Sequence, residues 1–261
     1  VNISTIRSEV RKVTEQLIPE NANSYDATHK LRYARTLEVI LESYESGPIL
    51  ELGTSSVIPV ALELLGIDAD ISVTNFDLSQ TITGSFTCEV AGLSREAKRY
   101  SVNLESTPLP AKDQTYGLVL CCEVIEHMDV DPMFMLSEIN RVLPVGGKMI
   151  ISTPNITSSR GLWKMLRGIE PYFFMQYHKD RSPYRHNYEH SVDTLSALLS
   201  GAGFEYEIWT ENTFEPGISE DIGRLKAAGY KIREDRLGDN IFAVATKVSG
   251  VVDRHPGLVY V

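Results

Sequence analysis

The chain has 261 residues, of which 43% are hydrophobic and 23% charged, and 25 Lys and Arg against 35 Asp and Glu give a formal net charge of −10. That balance argues against a broad surface for duplex nucleic acid; no apolar run approaches the ~20 residues of a membrane span; and 3 cysteines make no disulfide framework. One large domain or two small ones are expected, in a reducing, cytoplasmic compartment.

The opening VNISTIRSEV has no basic n-region and no apolar h-region, so no signal peptide is expected. It also lacks a Met, as a piece of a longer protein would. From Ser4 to Ser46, Ile6, Val10 and Val13, then Leu31, Ala34, Leu37, Ile40 and Leu41, recur at helical spacing and predict an N-terminal helical cap over 1–46. PILELG (48–53) is a short apolar run stopped by Gly, and a helical stretch follows over 57–65. DISVTNFD (70–77), RYSVNLE (99–105), TYGLVLCC (115–122) and GKMIISTP (147–154) are further strand-like runs, with a helix at 132–143 between the last two. A helix at 193–204 precedes two alternating runs, FEYEIWTE (204–211) and NIFAVATKV (240–248).

Continuous apolar strands alternating with helices predict an α/β fold, a doubly wound, Rossmann-like sheet with helices on both faces. Seven strands are expected, mostly parallel, with the last two runs adding an antiparallel edge strand. The main domain is placed at 47–248, with a substrate-side insertion at 155–190 and a C-terminal tail at 249–261. In such sheets ligands lie beyond the strand carboxyl ends, and Gly53, Asp77, Asn103, Glu123 and Pro154 all fall there. Gly53 between a strand and a helix allows a backbone turn to press on a ligand. Asp77 at the end of the second run suits a ribose diol, or caps a helix. Together they favour a nucleoside pocket.

ILELG, VTNFDLS, VNLESTPLPAKDQTYGLVLCCEVIEHM, EINRVLPVGGKMIISTPN and LLSGAGF occur in an order that resembles class I S-adenosylmethionine-dependent methyltransferases over about residues 48–210. The resemblance implies that Glu51, Gly53, Thr54 and Ser55 approach S-adenosyl-L-methionine. It further implies that Asp77 and Leu78 take the ribose, Asn103 and Leu104 flank the adenine, and Cys122 lies beside the cofactor. Two departures stand out. The loop after Gly53 is Thr-Ser-Ser where that family has further glycines, so it is expected to turn differently, and Asn103 stands where Asp is commoner.

Glu123, Glu126 and His127 share a face at i, i+3 and i+4. Three roles are open to them. They hydrogen-bond local backbone; or His127 is a general base oriented by a glutamate; or they bind a divalent metal that lowers the pKa of an acceptor hydroxyl. The segment resembles the metal-binding E-x-x-E-H of small-RNA 3′-terminal 2′-O-methyltransferases, and RHNYEHS (185–191) resembles their later His-containing stretch. That likeness implies a ligand set of Glu123, Glu126, His127 and His186, whose mixed donors suit Mn or Fe better than Mg.

The 155–190 segment carries seven aromatic residues, with six basic against three acidic, which suits a ringed acceptor bearing negative charge. Its stretch SPYRHNYEHS (182–191) resembles bacterial methyltransferases encoded with capsule and lipopolysaccharide glycosyltransferases. The expected reaction is therefore O-methylation of a saccharide hydroxyl in a surface glycan, with glycan-biosynthesis enzymes as partners and Tyr184, Arg185, Tyr188 and His190 as acceptor contacts. His29, Arg32 and Tyr33 in HKLRYARTL (29–37) either cap the cofactor side or belong to an ordinary surface helix. The alternatives are a ribose 2′-O-methyltransferase on an RNA end and an inactive cofactor-binding regulatory subunit.

Overall fold

The computed structural model describes residues 3–19, 25–76, 82–171, 185–214 and 219–261. The first helix, α1 (Ile3–Leu17), buries Ile6, Val10, Thr14 and Leu17, a single stripe at helical spacing. A single turn, α2 (Tyr25–Thr28), leads into α3 (Lys30–Ser43), which buries Tyr33, Leu37 and Ile40. Next come β1 (Ile49–Leu52), wholly buried, and α4 (Val57–Leu64). The chain continues through β2 (Ile71–Asn75), β3 (Ile82–Val90), β4 (Leu93–Ser101) and β5 (Leu118–Cys122). After β5, a 3-10 turn (Ile125–His127) precedes α5 (Pro132–Val142), where Asp131 caps by accepting from the Phe134 N–H and Pro132 sits in the first turn. Beyond β6 (Lys148–Pro154) and α6 (Ser159–Leu166), a capping box of Ser191 and Thr194 opens α7 (Val192–Gly201). The remaining elements are β7 (Phe204–Glu211), α8 (Ser219–Ala227) and β8 (Asn240–Lys247).

These strands form one eight-stranded sheet in the order β3-β4-β2-β1-β5-β6-β8-β7. From β4 to β6 every pairing is parallel, whereas β3 on β4, β8 on β6 and β7 on β8 are antiparallel. The expected α/β architecture holds, with two corrections. Among the described residues there are eight strands rather than seven, because β3 runs back along the outside of β4 and does the return that a crossover helix does elsewhere in the sheet. The antiparallel strand among the last two is β8, which lies inside β7 rather than at the edge.

Alternation along the buried strands sends Leu50, Leu52, Val119 and Cys121 toward α5 and α7, and Ile49, Leu118 and Leu120 toward α1, α3 and α4. The two apolar layers account for both sides of the sheet, and the N-terminal cap forms part of one of them. All three cysteines are free, and neighbouring Cys121 and Cys122 belong to opposite layers. No helix among the described residues is long and apolar enough to cross a membrane.

Candidate active site

The chain leaves β1 for β2 on one side and later returns to β5 on the other, so a crevice opens at the carboxyl ends of β1 and β5. A cavity of about 1320 Å³ lies there. Its wall includes Glu51, Gly53, Thr54, Ser55, Asn103, Leu104 and Cys122, and also Glu123, Glu126, His127, Arg185 and His186. Both sets of expected residues therefore meet in one space. Asp77, Leu78 and Tyr184 lie outside the described residues.

The β1 end is built for close approach. Gly53 has φ +71°, and its N–H donates to Thr74 Oγ1 at 2.9 Å, which ties the turn to β2. The expected alternative course of the loop is seen at Ser56, which takes φ +55° although it carries a side chain. Ser55 Oγ donates to Glu51 Oε1 at 2.7 Å and accepts from the Ile58 N–H at 3.1 Å, so it fastens the acid to the start of α4. Glu51 is buried, its Oε2 has no hydrogen-bond partner among the described residues, and burial pushes its carboxyl up to about 8. An orphaned carboxylate oxygen beside an open glycine turn fits the ammonium group of S-adenosylmethionine. On the β4 side, Asn103 Oδ1 accepts from the Glu105 N–H at 3.0 Å and shapes the turn that presents Leu104 to the cavity. Burial pushes the Cys122 thiol up to about 12, so it acts as packing.

Glu123 serves a different purpose from the one expected. Its Oε2 accepts from Arg32 Nη1 at 3.0 Å, and its Oε1 accepts from Ser152 Oγ at 2.8 Å and Asn240 Nδ2 at 3.0 Å. Both ion-pair partners are largely buried, and Glu123 holds φ +56°. Arg32 also donates to Tyr25 OH at 3.1 Å and to His29 Nδ1 at 3.1 Å. The carboxylate thus latches the cap to the end of β5. The cap residues His29, Arg32 and Tyr33 line the cavity.

The remaining three residues converge. One ligand-capable atom from each of Glu126, His127 and His186 lies within 4.8 Å of the others. His127 Nδ1–H donates to the Arg185 carbonyl at 2.9 Å, which leaves Nε2, 3.9 Å from Glu126 Oε1, as the basic ring nitrogen. Burial lowers the His127 pKa. Burial, with the nearby charge of Glu123, raises the Glu126 carboxyl well above the usual carboxylate range. Thr153 Oγ1 donates to Glu126 Oε2 at 3.0 Å, and Oε1 has no hydrogen-bond partner among the described residues. His186 Nδ1 lies 2.9 Å from Oε1 of the buried Glu189, and the two imidazoles meet edge to face at 5.1 Å between centroids. A carboxylate with an orphaned oxygen and two imidazoles fit a divalent cation as a donor set, although Glu123 is drawn off from it.

Two expected acceptor contacts stand elsewhere. His190 is buried beneath the Tyr188 ring at 4.8 Å, and neither residue lines the cavity. Tyr25, Thr153, Phe214, Asp239 and Asn240 were not foreseen from the sequence; Thr153, Phe214, Asp239 and Asn240 join the site through pairing with distant residues, and Tyr25 through Arg32 and His29 of the cap.

The family described as "Methyltransferase domain" matches residues 25–207. A SAM-dependent methyltransferase of Thermotoga maritima is 18% identical, with a TM-score of 0.54, covering 90% of this chain and 98% of that one. Another from Archaeoglobus fulgidus is 16% identical, with a TM-score of 0.54, covering 84% and 94%. At these identities the likeness is one of fold. No curated protein matches the chain.

Proposed function

We propose, from the premise that the chain belongs to the methyltransferase-domain family and is an S-adenosylmethionine-dependent methyltransferase, that it O-methylates a saccharide hydroxyl of a bacterial surface glycan. The carrying observation is the tautomer lock on His127. With Nδ1–H given to the Arg185 carbonyl, Nε2 is the atom able to take a hydroxyl proton, and it belongs to the same cavity as the Gly53 turn.

S-adenosylmethionine supplies, when bound, a methyl group made electrophilic by its sulfonium. The chain's residues do the rest. Glu51 and the Gly53 turn hold the amino-acid end, and Asn103 and Leu104 receive the adenine. An alcohol is a weak nucleophile, so His127 removes its proton as the new bond forms. The charge of Glu123 favours the imidazolium that results, while Arg32 keeps that carboxylate fixed. An amide-rich wall that includes Asn187, Asn212 and Asn240 supports a polyhydroxylated acceptor, and Arg160 and Arg185 suit a carboxylate on it.

The test is transfer of labelled methyl groups to isolated capsule and O-antigen or to total RNA. Glycan labelling is expected, and His127→Ala should lower turnover by about 10²–10⁴-fold with S-adenosylhomocysteine affinity retained. Labelling of RNA ends would favour the ribose reading. Binding without transfer to either would favour the regulatory subunit.

The convergence of Glu126, His127 and His186 supports a second reading, with a divalent ion in place of the free base. Turnover is expected to survive dialysis against EDTA. Loss restored by Mn²⁺, Fe²⁺ or Mg²⁺ would replace the base with the ion.

A further inference from the structure

Three aromatic rings stand at one corner of the cavity without a role in holding the cofactor. Tyr25 and His29 lie 4.2 Å apart between centroids, and His29 and Phe214 5.4 Å apart. Phe214 is 45% exposed and Tyr25 62%, yet all three line the cavity. Apolar rings left open beside a ligand space are a binding surface.

The corner is held rigidly from below. The Asp239 carboxylate accepts from the Thr213 N–H at 2.8 Å and the Phe214 N–H at 2.9 Å, fixing the residues just beyond β7 against the start of β8. The adjoining Asn240 is 5% exposed. Its Nδ2 donates to Glu123, whereas Oδ1 is buried with no partner among the described residues. An unpaired buried acceptor costs stability unless a ligand donor meets it.

Sheet order separates this corner from the nucleoside side. Asn75 ends β2, and Phe76 and Asn103 follow β2 and β4, on one side of β1, while Phe214 follows β7 and Asn240 opens β8, beyond β5 and β6 on the other. A nucleoside lying over β2 and β4 leaves the β7–β8 corner to the second substrate.

We infer that this corner is the acceptor subsite: the apolar C–H face of a pyranose ring packs on Phe214 and His29, and a hydroxyl of the same ring donates to Asn240 Oδ1. The assignment rests on the saccharide reading and adds to it the part of the fold that selects the ring. Burial holds the His29 imidazole down to about 4, so near neutrality it presents an uncharged ring. The unmatched group of Asn240 is thus an acceptor, its amide nitrogen donating to Glu123. A ring whose hydroxyl at that point is replaced by hydrogen or methoxyl should therefore bind less well.

The experiment combines saturation-transfer NMR of methyl β-D-glucopyranoside on protein saturated with S-adenosylhomocysteine and methyl transfer to isolated glycan. Wild-type protein should saturate the ring protons of one pyranose face. Phe214→Ala should reduce that saturation at least threefold and raise the glycan KM at least fivefold, with the S-adenosylhomocysteine Kd within twofold; Phe214→Trp should restore both. Phe214 is exposed, so loss of folding is not expected, and circular dichroism checks it. If wild type labels glycan but Phe214→Ala changes neither saturation nor KM, the subsite is overturned and the saccharide reading stands. A weakened S-adenosylhomocysteine Kd with unchanged saturation overturns the subsite by giving the rings to the nucleoside. Wild-type protein that neither saturates the pyranoside nor labels glycan overturns both.

Discussion

Glu51 keeps its proton to about pH 8 because burial disfavours its charge, and that single group links pH, stability and cofactor. The unfolded chain gives up the same proton in the ordinary carboxylate range near 4. Its contribution to stability is thus complete below that range and is lost as pH rises through 8. Thermal unfolding of the cofactor-free protein should show this decline between pH 5 and 8, with a flatter profile for Glu51→Gln. An ammonium ligand favours the ionised acid, so S-adenosylhomocysteine binding at pH 7 should release a proton. Titration calorimetry in phosphate and Tris would read it as a difference in apparent enthalpy, absent in Glu51→Gln. Arg32 and Glu123 form the second residue-scale test. Glu123→Ala leaves a buried guanidinium unpaired and should cost about 3–5 kcal/mol in denaturant unfolding, part of which Arg32→Met in the same protein should recover. The acid at the end of β5 and the cap residues were each legible in the sequence. Their pairing was not, since 91 residues separate the partners and no local spacing encodes it.

At the scale of elements, the runs that became β1, β2, β5 and β6 were legible because strands covered on both faces must be apolar throughout. The hairpin of β3 and β4 was not. In β3, Cys88 is buried and Phe86 half-buried, whereas Ser85, Thr87 and Glu89 are exposed. The strand therefore alternates, a period-2 signal that went unread beside its Gly and Thr. Helix α5 was legible as a helix, but its N-terminus depends on distant chain: Asp131 also accepts from Arg254 Nη1 at 2.9 Å and Tyr260 OH at 2.7 Å. The C-terminal tail is thus docked on the helix it helps to cap. Asp131→Ala should cost about 1–2 kcal/mol, and hydrogen exchange should quicken over residues 254–261 together with the first turn of α5.

Across the whole molecule, the fold class followed from the order of elements, and the resemblance named residues that now line one cavity at the strand ends. The acceptor corner was not among them, because the family likeness read from sequence faded near residue 210, before Phe214 and Asn240. The cap was also read as a separate unit, yet α1 and α3 share an apolar layer with Ile49, Leu118, Leu120 and Ile150. Residues 47–261 alone should therefore fail to unfold cooperatively in denaturant, since one side of the sheet is left bare. The strand that replaces a crossover helix has a further use. The turn joining β3 to β4 has Ala91 at φ +52° and Gly92 at φ +76°, and both residues are open to solvent. Because Ile82 pairs with Ser101 at the cavity end, this tip points to the opposite rim of the sheet. A small fluorescent reporter grafted there should leave catalysis unchanged, giving an optical handle on the enzyme from the side its substrates never visit.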